Sequence, residues 1–133
     1  MTDAAIDTAL DRAACLNLLG TVTVGRIAWC TCDGRVIVVP VAFVLDGETI
    51  VVRAVGGSRV RAVRTGRLLT FEADDIDPAH QTGWSVLVKG AAEVIEDREG
   101  VPGASVPAAW ADDPASFLVR IPATDITGHR LTP

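Results

Sequence analysis

No stretch of this sequence approaches the run of about eighteen apolar residues that a membrane-spanning helix needs, so no membrane partner is expected. Positive charge is also scarce. Twelve Lys and Arg against 17 Asp and Glu leave a net charge of −5, opposite to the basic surface of a general nucleic-acid binder. The three cysteines are an odd number without framework spacing, which points to free thiols in a reducing cytoplasm. The opening MTDAAIDTALDRAA is acidic and polar, unlike a signal peptide. Several chemical signatures are missing as well: no P-loop lysine motif, no Gly-x-Gly-x-x-Gly and no His-Glu-x-x-His. His80 and His129 have no evident nucleophile partner, which speaks against a Ser-His-Asp hydrolase. Asp74, Asp75 and Asp77 look like a metal run, but Ile76 and Pro78 interleave with them and no His or Cys ligand is fixed nearby, so a solvated loop is expected. Cys30 and Cys32 lack the second pair that zinc would need and are expected to be buried, inert thiols. No metal site is expected.

What is present is apolar and strand-like. At 133 residues, nearly half of them apolar, the chain suits a single domain spanning 1–133 with one core. Ile6, Leu10, Ala14 and Leu18 recur every four residues, predicting a helix over 7–19 that stops at Gly20. From Thr21 the pattern turns to strands: 21–31, 35–45, 49–55, 67–74, 83–96, 116–121 and 126–131. Asp33-Gly34 and Asp46-Gly47 supply hairpin turns. Ser58 caps a short helix to about Arg64, and 99–114 reads as a loop.

Two segments carry most of the functional signal. The strand 36–45 is apolar on both faces, with Val36, Val38, Pro40, Ala42 and Val44 on one and Ile37, Val39, Val41, Phe43 and Leu45 on the other. A strand with one wet face alternates with polar residues. Both faces are therefore expected to be covered, one by a barrel interior and the other by a helix or second subunit. Pro40 cannot donate to a ladder, so pairing is expected to break there and leave backbone groups for a planar heterocycle. Downstream, Arg53, Arg59, Arg61, Arg64 and Arg67 form a basic cluster in an acidic protein. Gly56-Gly57-Ser58-Arg59 brings backbone N–H groups, a hydroxyl and a guanidinium to one helix start, a natural phosphate site with Arg53 nearby. A second segment, Thr82-Gly83-Trp84-Ser85-Val86-Leu87-Val88-Lys89-Gly90, places a tryptophan and a serine at the head of an apolar strand.

Together these segments resemble the flavin-binding split-barrel family related to pyridoxamine 5′-phosphate oxidase, over about residues 19–131. The resemblance implies a mainly β fold, a six-stranded antiparallel split β-barrel with short flanking helices. It also implies a homodimer with two flavin sites at the interface, using FMN or, in some actinobacterial relatives, the deazaflavin F420; a few members bind haem. Family activities include pyridoxamine phosphate oxidation and reduction of quinones, nitroaromatics or tetrapyrroles. The cofactor would then meet Val38, Val39, Pro40 and Val41, Arg53, Ser58 and Arg59, with Trp84 and Ser85 reaching it, in the case of Trp84 across the dimer. No catalytic residue is assigned, since the flavin carries the redox chemistry. The chain stops after Ile-Thr-Gly-His-Arg-Leu without the family's C-terminal substrate-arginine motif, so pyridoxamine phosphate is expected to be a poor substrate. The family's nitroimidazole-resistance members carry a histidine where Arg53 stands here. The expectation is a flavin-dependent oxidoreductase acting on a small, flat organic acceptor; the alternative is a non-catalytic flavin or haem carrier.

Overall fold

The computed structural model describes residues 6–55, 68–95 and 116–133. In chain order the elements are β1 (Ile6–Leu10), α1 (Arg12–Leu19), β2 (Val24–Cys30), β3 (Val36–Asp46), β4 (Thr49–Val55), β5 (Leu68–Asp77), β6 (Thr82–Ala91), β7 (Glu93–Ile95), β8 (Ser116–Pro122) and β9 (Asp125–Thr132). All the strands join one antiparallel sheet, in the order β1-β9-β6-β5-β2-β3-β4-β8-β7. Only Ala92 separates β6, third from one edge, from β7, the opposite edge. The two ends of the sheet must therefore curl toward each other. Gly90 lies at that crossing, where an added Cβ would stand 3.0 Å from the carbonyl oxygen of Pro122. The mainly β, curled antiparallel architecture is the split-barrel class expected from the sequence, but nine strands are described where the resemblance implies six and the strand pattern seven.

The extra strands arise at two places. The 83–96 segment divides, because β6 pairs with β5 and β9 whereas β7 pairs with β8. Residues 7–10, expected to begin a helix, instead join Ile6 in β1 against β9, with Ile6 opposite Thr132 and Leu10 opposite Gly128. Pairing with an available edge outweighs a weak helical periodicity over five residues. The helix starts only after Asp11, whose carboxylate accepts from the Ala14 amide at 2.8 Å. The helix expected over 58–64 and the loop over 99–114 lie outside the described residues.

The hairpins follow the expected turns. Gly34 and Gly47 have φ of 85° and 60°, a conformation that costs glycine little. Strand periodicity then sorts side chains onto two faces. The inner face holds Ile27, Val41, Phe43, Val52, Phe71, Val86 and Val88, all buried. Phe43 and Phe71 meet edge to face with centroids 4.8 Å apart. Helix α1 plugs this face with Cys15 and Leu19, both fully buried. No helix among the described residues is long and apolar enough to cross a membrane.

Candidate functional site

The outer face differs in character. Along β2, Gly25, Ile27 and Trp29 are buried, whereas Val24, Arg26 and Cys30 are exposed. Register carries that face across the sheet. Cys30, Ala28 and Arg26 of β2 stand opposite Val36, Val38 and Pro40 of β3. In the other direction Ala28 and Arg26 face Thr70 and Glu72 of β5, which in turn face Lys89 and Leu87 of β6. Val36 and Val38, 64% and 57% exposed, are the most exposed large apolar side chains on it. Val24, Ile76 and Leu87 are exposed too.

Both faces of β3 were expected to be covered. Within one chain the outer face is open from Val36 to Pro40 and closed only at Ala42. The reason lies in the ladder. β3 pairs with β2 without a break through Arg26 and Pro40, but with β4 only from Ala42 to Asp46. The interruption expected at Pro40 thus occurs on the β4 side alone, and among the described residues the 36–41 stretch has a partner strand only in β2.

A groove of about 270 Å³ runs along this open stretch. Its apolar floor is Ala28, Val38 and Leu87, and Thr70 adds a hydroxyl. Its polar wall is Arg26, Glu72 and Asp74. The Arg26 guanidinium lies 3.3 Å from a Glu72 carboxylate oxygen and 3.5 Å from one of Asp74. The Glu72 carboxyl is pushed up to about 7. Loss of solvent is the main cause, followed by its hydrogen bond with Asp74 and that group's charge, against the opposing pull of Arg26.

The residues expected to form the site are divided by the sheet. Val38, Pro40, Arg53 and Ser85 belong to the outer face: Arg53 is half-buried opposite Ala42, and Ser85 stands opposite Asp74. Val38 lines the groove itself. Val41 and Trp84 are buried in the core, and Val39 packs against it, all three on the inner face. Ser58 and Arg59 lie outside the described residues.

Two further expectations need correction. Asp74, Asp75 and Asp77 are not a solvated loop but the last residues of β5, which runs three residues farther than expected because β6 pairs with it as far as Asp77 opposite Thr82. Cys30 and Cys32 are exposed rather than buried, since β2 ends at Cys30 and the hairpin turn projects beyond the sheet. Only Cys15 is buried, its thiol pKa raised by burial and then by the nearby charge of Asp11.

Arg26 and Glu72 carried no expectation from the sequence, and Asp74 was read only as part of an acidic run. Their signal is the period-two placement of Thr70, Glu72 and Asp74 between Leu69, Phe71 and Ala73, which marks one wet face of a strand. Among the described residues no group of three or more His, Cys, Asp or Glu is arranged to hold a metal ion.

The curled antiparallel sheet, with one packed face and one open apolar face, defines a protein of the split-barrel class. The chain belongs to the pyridoxamine 5′-phosphate oxidase family, whose sequence profile matches residues 11–130. It is 32% identical over 132 residues to the uncharacterized protein Rv0080 of Mycobacterium tuberculosis, covering 92% of this chain and 84% of that one. A solved structure of a FAD binding protein from Mycobacterium smegmatis is 31% identical and superposes with a TM-score of 0.73, covering 92% of this chain and 98% of that one. A FAD-binding protein from Mesorhizobium loti shares the fold, with a TM-score of 0.76 at 18% identity over 97% of this chain and 99% of that one.

Proposed function

We propose that this chain is a flavin-dependent oxidoreductase, active as a homodimer, that reduces a small, flat organic acceptor. The observation that carries this reading is the open outer stretch of β3. Val36, Val38 and Pro40 are exposed beside a groove whose floor is apolar and whose wall is charged. Apolar walls exclude water and orient flat rings, and a few polar groups fix the edge of a heterocycle. At about 270 Å³ the groove is smaller than the roughly 300–1,000 Å³ of pockets that enclose a cofactor-sized ligand. On the homodimer reading, one chain offers half a site and a second copy would supply the other half. The family and the FAD-binding relative at 31% identity support a flavin.

The residues fit such a group. Val38, Pro40 and Ala28 would flank the ring on the outer face, with the 36–41 backbone open on its β4 side. Ser58 and Arg59 would hold the phosphate, with Arg53 on the adjoining strand. When bound, the flavin supplies hydride or electron transfer, and the protein's part is binding, orientation and exclusion of water. Trp84 lies in the core, so its role on this reading is to fix β6 from behind while Ser85 faces outward. FMN is the form proposed, with F420 as the alternative cosubstrate and a cytoplasmic setting. The carrier reading differs only in the absence of turnover.

The test is cofactor affinity. Arg59→Glu is expected to weaken FMN binding about tenfold or more, because charge-assisted hydrogen bonds contribute roughly 1.5–3 kcal/mol. A folded variant with unchanged affinity would remove Arg59 from the phosphate site. Mass analysis of the released cofactor distinguishes FMN from FAD and F420. Reoxidation of the reduced cofactor by quinones or nitroaromatics separates an oxidoreductase from a carrier.

A further inference from the structure

The flavin reading leaves the two thiols at the β2–β3 turn unused. Cys30 and Cys32 were expected to be inert because they were expected to be buried. Both are exposed, whereas Cys15 is enclosed. Cys30 is the last residue of β2, opposite Val36, and Cys32 opens the turn beyond it. One residue separates them, so their Cα atoms can stand at most about 7 Å apart.

Thr31, the residue between, is held through both its backbone and its side chain. Its amide donates to the Arg35 carbonyl at 2.7 Å, and its own carbonyl accepts from the Gly34 amide at 3.0 Å. Its hydroxyl accepts from the Arg35 amide at 3.0 Å and meets the Asp33 carboxylate. That carboxylate also holds the Arg35 guanidinium at 3.1 Å. The two charges of the turn therefore cancel, and the turn adds no net negative charge to a pair of thiolates.

We propose that Cys30 and Cys32 are the two ligands of a site for a soft monovalent metal cation, Cu(I). Thiolates are the ligands that such an ion selects, and two of them suffice for it. Zinc takes four ligands in a structural site. Among the described residues no group of three or more His, Cys, Asp or Glu is arranged to supply them. A disulfide is the other fate of neighbouring thiols. It needs the sulfurs to close to about 2.0 Å with a narrow range of dihedral angle, and the bonds that hold Thr31 resist that adjustment. Metal–sulfur contacts of about 2.3 Å let the sulfurs stay up to about 4.6 Å apart around one ion. Loading replaces two S–H protons, released to solvent, with two Cu–S bonds, and no oxidation state changes. Exposure of the hairpin lets a donor molecule reach the site and pass the ion by ligand exchange.

The experiment is anaerobic titration of the reduced, purified chain with Cu(I) held by the coloured chelator bicinchoninate. The wild type is expected to withdraw one Cu(I) per chain, read as lost chelator absorbance. Cys30→Ser and Cys32→Ser are each expected to withdraw none at the same chelator concentration. A second measurement needs no variant. N-ethylmaleimide is expected to alkylate Cys30 and Cys32 of the native chain, to spare Cys15 and to abolish uptake, and prior loading with Cu(I) is expected to protect both thiols. Zinc offered in competition with a metallochromic dye is expected to stay with the dye. A chain that withdraws no Cu(I) overturns the proposal, as does uptake that survives in either serine variant or after alkylation. Thiols that escape alkylation without copper also overturn it, because the hairpin is then covered in solution. Zinc held as firmly as Cu(I) overturns the two-ligand assignment. None of these readouts involves flavin, so failure here is distinct from failure of the proposed function.

Discussion

Gly128 shows how narrowly single residues are specified. It sits on β9 where helix α1 crosses the inner face, and an added Cβ would stand 2.6 Å from Cys15 Sγ and 3.1 Å from the Ser85 carbonyl oxygen. Neither partner has room to retreat, since Cys15 is fully buried and the carbonyl belongs to the β6 ladder. Gly128→Ala is expected to destabilise the fold by about 1–3 kcal/mol, the range typical of overpacking. A urea midpoint lowered at constant slope would show it, and an unchanged midpoint would mean that α1 can move off the sheet. The same contact accounts for Cys15, a thiol kept protonated and enclosed, in contrast to Cys30 and Cys32 at the exposed hairpin.

Among the elements, β3 carries the argument. Its C-terminal half pairs with β4, whereas its N-terminal half, among the described residues, pairs with β2 alone and is bare on its outer face. Val38→Asp would place a carboxylate beside Glu72 and Asp74 on the face proposed to close. It is expected to shift the protein to monomer at micromolar concentration with its far-ultraviolet spectrum intact, and light scattering at fixed pH checks this. A dimer of unchanged affinity would move the interface elsewhere. The apolar reading of this strand was legible because valine, isoleucine and phenylalanine fill it without polar interruption. What covers its outer face was not legible, since apolar residues look alike whether they meet a core, a groove or another chain. Similarly, the Asp33-Gly34 and Asp46-Gly47 turns were readable from local chemistry, whereas β1 was not, because the edge of β9 that it pairs with is more than a hundred residues away in sequence. The Arg26–Glu72–Asp74 cluster escaped notice for the same reason: two strands far apart in sequence bring it together.

At the scale of the molecule, a curled sheet uses its two faces for different purposes. The inner face, plugged by α1, supplies the core and the rigidity, and the outer face offers an apolar floor with a charged centre. Membership of the pyridoxamine 5′-phosphate oxidase family fits this division, and the proposal of a flavin held between two copies uses it directly. The most direct measurement is native mass spectrometry of the purified chain after incubation with FMN, FAD or F420. The account predicts a species of two chains carrying up to two flavin molecules, with no flavin on the monomer. A monomer that binds flavin by itself, or a dimer that takes up none of the three, would contradict it.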